Sequence, residues 1–283
     1  MKYKLAVLLL LLWMAFASLA NRVRPKNQFQ VIVCDVGQGH AVLLQQASWQ
    51  MLVDAGPDEQ VLDCLQQYMP GNDKQLEWAV ATHPDLDHVN GFVSILQRYR
   101  VVNWGWTEWP ASNQLIGILG QLLDKTETHK VKLVAGQAIM APVEIQVLWP
   151  TLAYLSADRA GDTNQASIVL LVKQADFSML LTGDADQFVQ QRLATLADNP
   201  SLFAGQLPHH GSKTGFTADF WLRSGVEFVT VSVGKDNSYG HPDKDLLQQL
   251  ANKGINVYRT DLCRDIRITI KQQSASVKTR CHH

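Results

Sequence analysis

The segment Thr82-His83-Pro84-Asp85-Leu86-Asp87-His88 brings two imidazoles and two carboxylates into six positions. Imidazole nitrogen and carboxylate oxygen are ordinary protein ligands for divalent cations, and a loop at a strand end can converge several of them on one point. The apolar stretch Trp78–Thr82 predicts such a strand, with His83 delivered at its C-terminal end. A polar turn with chance histidines is the plainer reading. Nine histidines in the chain make an accidental pair easy, but an accidental H-x-D-x-D-H run after an apolar strand is much rarer.

Further clusters stand where other strands should stop. Thr182-Gly183-Asp184 follows Phe177–Leu181, and its glycine permits a tight turn that aims the carboxylate. An aspartate there can equally cap the helix read over Gln187–Leu196. Pro208-His209-His210-Gly211-Ser212 follows Leu202–Leu207, and Tyr239-Gly240-His241-Pro242 precedes Asp243, a natural helix cap. Asp35 and Asp54 also end strands. Asp54 is suited to orient a ligand loop, or to accept from backbone N–H groups in its own turn.

The elements that must position these groups alternate regularly. Strands are read over Gln28–Asp35, His40–Gln46, Trp49–Asp54 and Trp78–Thr82, with helical spacing at Glu59–Tyr68, Val89–Arg100 and Gln114–Lys125. The second half gives strands at Val143–Trp149, Ser167–Lys173, Phe177–Leu181, Leu202–Leu207, Glu227–Val233 and Ile266–Lys271. Helices fall between them at Gln187–Leu196 and Lys244–Lys253. No repeat and no low-complexity linker interrupts the pattern, so residues 28–283 are read as one α/β domain of layered sheets and outer helices. Strand ends that share one edge of a sheet are where active sites gather.

The bulk numbers constrain partners. The chain has 283 residues, 46% hydrophobic and 18% charged, which excludes disorder. Its 25 basic and 26 acidic residues give a net charge of −1, so no global electrostatic footprint for nucleic acid exists. Metals and a local patch would have to supply the positive field. The four cysteines, Cys34, Cys64, Cys263 and Cys281, form no C-x-x-C pair and are read as free structural thiols, with Cys34 buried in a strand. Cys263 and Cys281 could pair in an exported chain. Residues 1–27 differ in kind: Lys2 and Lys4 precede an uncharged leucine-rich stretch to Ala20, which reads as a signal peptide or a membrane anchor.

With these residues in hand, the chain resembles the C-terminal domain of ComEC, a metallo-β-lactamase-fold member of the DNA-uptake machinery. Asp54, the H-x-D-x-D-H run, Thr182-Gly183-Asp184 and His209-His210-Gly211-Ser212 occur in the order found in that fold. Asp35-Val36-Gly37-Gln38-Gly39, Asn164-Gln165-Ala166-Ser167, Ser232-Val233-Gly234, Asn237-Ser238-Tyr239-Gly240-His241-Pro242 and Tyr258-Arg259-Thr260-Asp261 bring the likeness closer, from Phe29 to Ile270. The resemblance implies a four-layer αββα sandwich and hydrolysis assisted by two divalent metal ions, degrading the DNA strand that is not imported. Asp87, His88 and Asp184 are then the first-choice ligands, with His83, Asp85 and one of His209 or His210 behind them. Asp87 and His241 are the residues expected to act in catalysis, His241 by protonating the leaving oxygen, binding phosphate or only ordering its loop. Lys213 and Lys235 could contact phosphates.

Two departures from the family pattern matter. Its members usually carry many membrane spans ahead of this domain, whereas one apolar segment stands here. The expected partners are therefore DNA, the inner membrane through an uncleaved leader, and a separate channel protein, with the domain periplasmic or on the outer face of that membrane. A fragment, a split gene product and a free-standing relative all fit. A histidine common in the wider fold is missing near Asn164–Ser167, and Asp85 stands where a second histidine is frequent. Oxygen ligands thus equal nitrogen ligands, which favours manganese over zinc, with zinc still able to bind. No role is assigned to His40. Hydrolysis of another ester or phosphodiester, and a non-catalytic module of an uptake channel, are the rival functions.

Overall fold

In a computed structural model that describes residues 27–109, 114–157, 162–196, 202–271 and 274–279, short aliphatic runs build two facing sheets. The first half comprises β1 (Gln30–Val33), β2 (Val42–Gln46), β3 (Trp49–Val53), α1 (Val61–Tyr68), β4 (Gln75–Val80), α2 (Leu86–Val89), α3 (Phe92–Arg98), β5 (Arg100–Trp106), α4 (Gln114–Asp124) and β6 (His129–Lys132). The second continues with β7 (Ala138–Ile139), β8 (Glu144–Trp149), α5 (Leu152–Ser156), β9 (Val169–Gln174), β10 (Phe177–Leu181), α6 (Gln187–Leu196), β11 (Ala204–Gln206) and α7 (Ala218–Arg223). It closes with β12 (Phe228–Val231), α8 (Lys244–Asn252), β13 (Asn256–Arg259), α9 (Thr260–Cys263), β14 (Ile266–Lys271) and β15 (Ser274–Lys278).

One sheet has the order β15-β14-β1-β2-β3-β4-β5-β6, the other β13-β12-β11-β10-β9-β8-β7. The alternation of side chains along each strand makes three apolar layers. Val31, Val33, Val42, Leu44, Met51 and Val53 face Leu170, Val172, Met179 and Leu181 across the inter-sheet core. Ile32, Leu43, Leu52 and Ala79 point the other way, onto Leu65, Phe92 and Ile95 of the helices. Leu171, Leu180, Val229 and Val231 likewise meet Val189, Trp221 and Leu250. Strands covered on both faces read as near-continuous apolar runs, which is why they stand out in the sequence. Each fully buried Val, Leu or Ile contributes roughly 1.5–3 kcal/mol relative to exposure. These layers are the αββα arrangement that the family likeness implied.

Several expectations change. The helix read over Val89–Arg100 is broken at Asn90–Gly91, because the Gly91 N–H donates to the Gly56 carbonyl at 3.0 Å and the Asp87 carbonyl accepts from His40 N instead; at Gly91 a Cβ would also collide with the Ala55 carbonyl, so only glycine fits. Arg100 instead opens β5 and pairs in parallel with Gln75. The strands β5 beyond Arg100, β6, β7, β13 and β15 lie outside the sequence reading; β6 and β13 are polar and half-exposed and take their shape from pairing with a neighbour. Cys34 and Cys64 are not free thiols. α1 lies on the sheet face to which Cys34 points, their Cα atoms are 5.8 Å apart, and they form a disulfide. Cys263 is disulfide-bonded too. The apolar leader through residue 26 and Cys281 lie outside the described residues. Among the described residues, no helix is long and apolar enough to cross a membrane.

Candidate metal centre

β3 and β4 run parallel, as do β10 and β11, so their C-terminal ends share a rim. Asp54 follows β3, Thr82–His88 follows β4, Asp184 follows β10, and His209–Gly211 follows β11. The Ile168 N–H donates to the Thr82 carbonyl at 3.0 Å and ties the two sheets together there. Gly183 adopts φ +52°, and a Cβ on it would stand 2.8 Å from Thr82 Oγ1. Only glycine lets these two loops approach so closely. On the other side Gln38 Oε1 accepts from Gly234 N at 3.1 Å, and the His40 N–H donates to the Asp87 carbonyl at 3.0 Å. The Gly-Gln-Gly turn therefore clamps the metal-type loop to the end of β12.

Hydrogen bonds fix the tautomer of each inward histidine. His210 Nδ1 lies 2.8 Å from the Ser232 carbonyl, which can only accept, so Nδ1 carries the proton. His88 Nδ1 donates to Asp54 Oδ2 at 2.7 Å. Thr82 Oγ1 spends its hydrogen on Asp54 Oδ2 at 2.8 Å and therefore accepts from His83 Nδ1 at 3.0 Å. In the neutral form all three rings then present a bare Nε2 lone pair, the arrangement in which a metal-binding imidazole is held by its partner. The Nε2 atoms of His83 and His88 are buried and make no hydrogen bond.

Those atoms converge with carboxylates. His88 Nε2 is 3.3 Å from Asp184 Oδ1, and His83 Nε2 is 3.9 Å from Asp184 Oδ2 and 3.8 Å from Asp85 Oδ2. His210 Nε2 stands 2.9 Å from Asp87 Oδ2 and 4.0 Å from Asp184 Oδ2. Ligands of one cation bound at about 2.1 Å in a tetrahedron stand about 3.4 Å apart, so this spacing suits cations. The triads His83–His88–Asp184 and Asp87–His88–His210 are each compact enough to hold one, and the single Nε2 of His88, common to both, can serve one of them at a time. The fold and these clusters imply divalent metal ions.

Electrostatics agrees. Burial alone would lower His88, but the Asp184 and Asp54 carboxylates outweigh it and raise its pKa well above the ordinary value. His210 is raised likewise, against burial, by Asp184 and Asp87. Burial would raise Asp184, yet the imidazoles of His88 and His210 hold it well below the usual carboxylate range. Asp87 is lowered against burial by His210 and His88. Burial and the neighbouring His88 push His83 down to about 4. The cluster thus draws in positive charge, which protons supply when no cation does.

The residues singled out from sequence fall into groups. His83, Asp87, His88, Asp184 and His210 form the convergent set. Asp85 borders it, half-exposed and accepting from Thr163 Oγ1 at 3.1 Å. His209 does not aim its ring into the set; its backbone N–H donates to Asp184 Oδ1 at 3.1 Å, and its ring centroid lies 6.4 Å from that of His210. His241 stands at the rim, 6.3 Å from the His209 ring, its pKa lowered by burial and by His210. Asp54 is a buried hub: Oδ1 accepts from Thr82 N and Oδ2 from Thr82, His88 and His40.

His40 is the residue that sequence reasoning passed over. It is buried, and its Nδ1 lies 2.9 Å from Asp54 Oδ2. Hairpin arithmetic could have found it. β2 and β3 pair antiparallel with Val42 opposite Val53, which places the residues just before β2 beside Asp54.

A model of the metallo-beta-lactamase superfamily matches residues 34–111. ComE operon protein 3 of Bacillus subtilis is 25% identical over 198 residues, covering 66% of this chain and 24% of that protein. Competence protein ComA of Neisseria gonorrhoeae is 26% identical over 258 residues, covering 89% of this chain and 34% of its own. The chain thus spans about a quarter to a third of the length of these curated relatives. Among solved structures, the metallo-beta-lactamase fold protein YhfI from Bacillus subtilis superposes with a TM-score of 0.57 at 13% identity, covering 89% of this chain and 100% of that one, a likeness of fold alone. The resemblance to ComEC-type competence proteins drawn from the motifs is borne out by these matches.

Proposed function

We propose, from a metallo-β-lactamase fold and a sequence similar to competence proteins, that this chain is a metal-dependent phosphodiesterase that cleaves DNA during DNA uptake. The observation that carries the reading is the convergence of three imidazole Nε2 atoms with carboxylates on one strand-end rim. His83, His88 and His210 with Asp85, Asp87 and Asp184 would hold two divalent cations, Asp184 lying within reach of both triads. Three nitrogens against three carboxylates, with no thiolate, favours manganese, and zinc would still bind. Cations bound there lower the pKa of water and offset charge on phosphoryl oxygens.

The protein groups have separate tasks. Asp54, Thr82 and the Ser232 carbonyl hold the imidazoles in one tautomer. Asp87, about a third exposed, meets solvent at the rim and would orient the attacking water. In the reaction a water oxygen bonds to phosphorus, the bond from phosphorus to the leaving oxygen breaks, and a proton reaches that oxygen. His241, at the rim beside His209, would supply this proton or bind the phosphate. The disulfide between Cys34 and Cys64, together with the leader, supports an oxidising location outside the cytoplasm, on or near the inner membrane and beside a separate channel protein. Protease added to spheroplasts would degrade the domain there and leave it whole if it were cytoplasmic.

The activity test is direct. Manganese-loaded protein is expected to cleave linear DNA, chelator to abolish cleavage, and manganese to outperform zinc at equal occupancy. Cleavage of simple phosphodiesters with DNA left whole would keep the hydrolase and reject its substrate. No hydrolysis of either would reject the phosphodiesterase.

A further inference from the structure

The loop that carries His241 also presents a ring that the metal centre does not use. Tyr239 is 68% exposed, one of few large apolar side chains so placed among the described residues. It is nevertheless not loosely held. Its ring stacks on His241 with centroids 5.9 Å apart and planes 14° from parallel. Asn237 staples the loop from within: its Nδ2 donates to the carbonyls of Gly234 and His241 at 3.1 and 2.8 Å, and its Oδ1 accepts from His241 N at 3.0 Å. His241 in turn stands one ring from His209, whose N–H holds Asp184. A rigid aromatic face is therefore fixed to the rim of the metal centre, one side backed by imidazole and the rest in water.

From this geometry we infer that Tyr239 is a stacking platform for an unpaired nucleobase beside the phosphate being cleaved, so that the site takes single-stranded DNA. The inference rests on the DNA reading and narrows it. Bases within a duplex are already stacked on both faces, whereas every unpaired base has a free π-face, and stacking on an aromatic side chain is tolerant of sequence. Lys235 in the same loop and Lys213 after His210 are exposed and supply local positive charge to a chain of net charge −1. Pre-ordering of the loop by Asn237 and His241 means that little side-chain freedom is lost on binding.

The test compares the full chain, loaded with manganese, as wild type, Tyr239→Ala and Tyr239→Trp. The substrates are an oligothymidylate and an oligomer of the same length with abasic sugars. Tyr239→Ala is expected to raise KM for the oligothymidylate about 5- to 150-fold, the loss of one base–aromatic stack. It should leave the abasic oligomer and the thermal midpoint unchanged, and Tyr239→Trp should restore the wild-type KM. Equal loss on both oligomers, or loss on neither, overturns the platform while the nuclease reading stands. Failure of the wild type to cleave either oligomer overturns both.

Discussion

The two halves of the molecule orient their histidines by different means. In the first half a buried carboxylate, Asp54, gathers His40, His88 and both donors of Thr82 around itself. In the second half the same service to His210 comes from a backbone carbonyl, that of Ser232 at the end of β12. The outcome is alike: Nδ1 is the held donor and Nε2 turns toward the carboxylates. The first solution buries a charge that must stay paired, and one substitution can remove it. The second is written into strand register, and no single side chain carries it.

The sharpest way to break this comparison is Asp54→Ala. It strands the Nδ1–H groups of two buried imidazoles and the Thr82 amide. Removing one partner of a buried pair costs about 3–5 kcal/mol, and losing such a metal-orienting partner costs about 10- to 100-fold in metal affinity. Urea unfolding and calorimetric metal titration would read both. Wild-type values would mean that the hub is dispensable.

The first half is also stapled. Opening the Cys34–Cys64 bridge, which spans 30 residues, by replacing both cysteines with serine is expected to cost about 3–4 kcal/mol on the loop-entropy scale. Metal stoichiometry should not change, since neither cysteine is among the donor groups. Denaturant midpoints paired with metal analysis would separate the two roles.

A subtler effect is expected at Asp35. Asp54 is held well below the usual carboxylate range: burial would raise it, but His88 and His40 overcome burial. Asp35 has no imidazole partner, and the Arg264 charge that lowers it is opposed by Asp265 and Asp261. Burial raises it above the ordinary value of 3.8, and the Gly37 N–H offsets this only in part. With the folded value raised, stability is fully present below about pH 3.8 and is lost as pH rises through the folded pKa. Asp35→Asn should therefore match the wild type in acid and melt at a higher temperature near neutrality, as pH-dependent melting would show. A constant difference across pH would contradict the sign.

The smallest effect belongs to Ser232→Ala. The acceptor for His210 is the carbonyl, and the Ser232 hydroxyl is buried with no hydrogen-bond partner. Its removal breaks no hydrogen bond, so stability should not fall and metal affinity should stay intact. A loss comparable to Asp54→Ala would show that the two halves do not differ after all.

This asymmetry also decided what could be read from the sequence. The H-x-D-x-D-H loop and Thr182-Gly183-Asp184 were legible because their chemistry is local and follows an apolar strand. His40 was not, because its partner lies 14 residues away and reaches it only through the β2–β3 hairpin. The choice between His209 and His210 was equally hidden, since the positive φ of both residues and the Ser232 carbonyl set it. β5 was missed because only its first residue, Arg100, fell in a helical reading, and its remaining residues take their shape from parallel pairing with β4. The Cys34–Cys64 bridge has no spacing signature; α1 must first dock on the sheet.

The central claim is that both halves build one two-cation centre. Anomalous diffraction from crystals grown with manganese tests it most directly. The account expects two peaks per chain, bounded by the Nε2 atoms of His83, His88 and His210 and by Asp85, Asp87 and Asp184, with Asp184 beside both. A single peak, peaks elsewhere, or histidines turned so that Nδ1 faces the metal would contradict it.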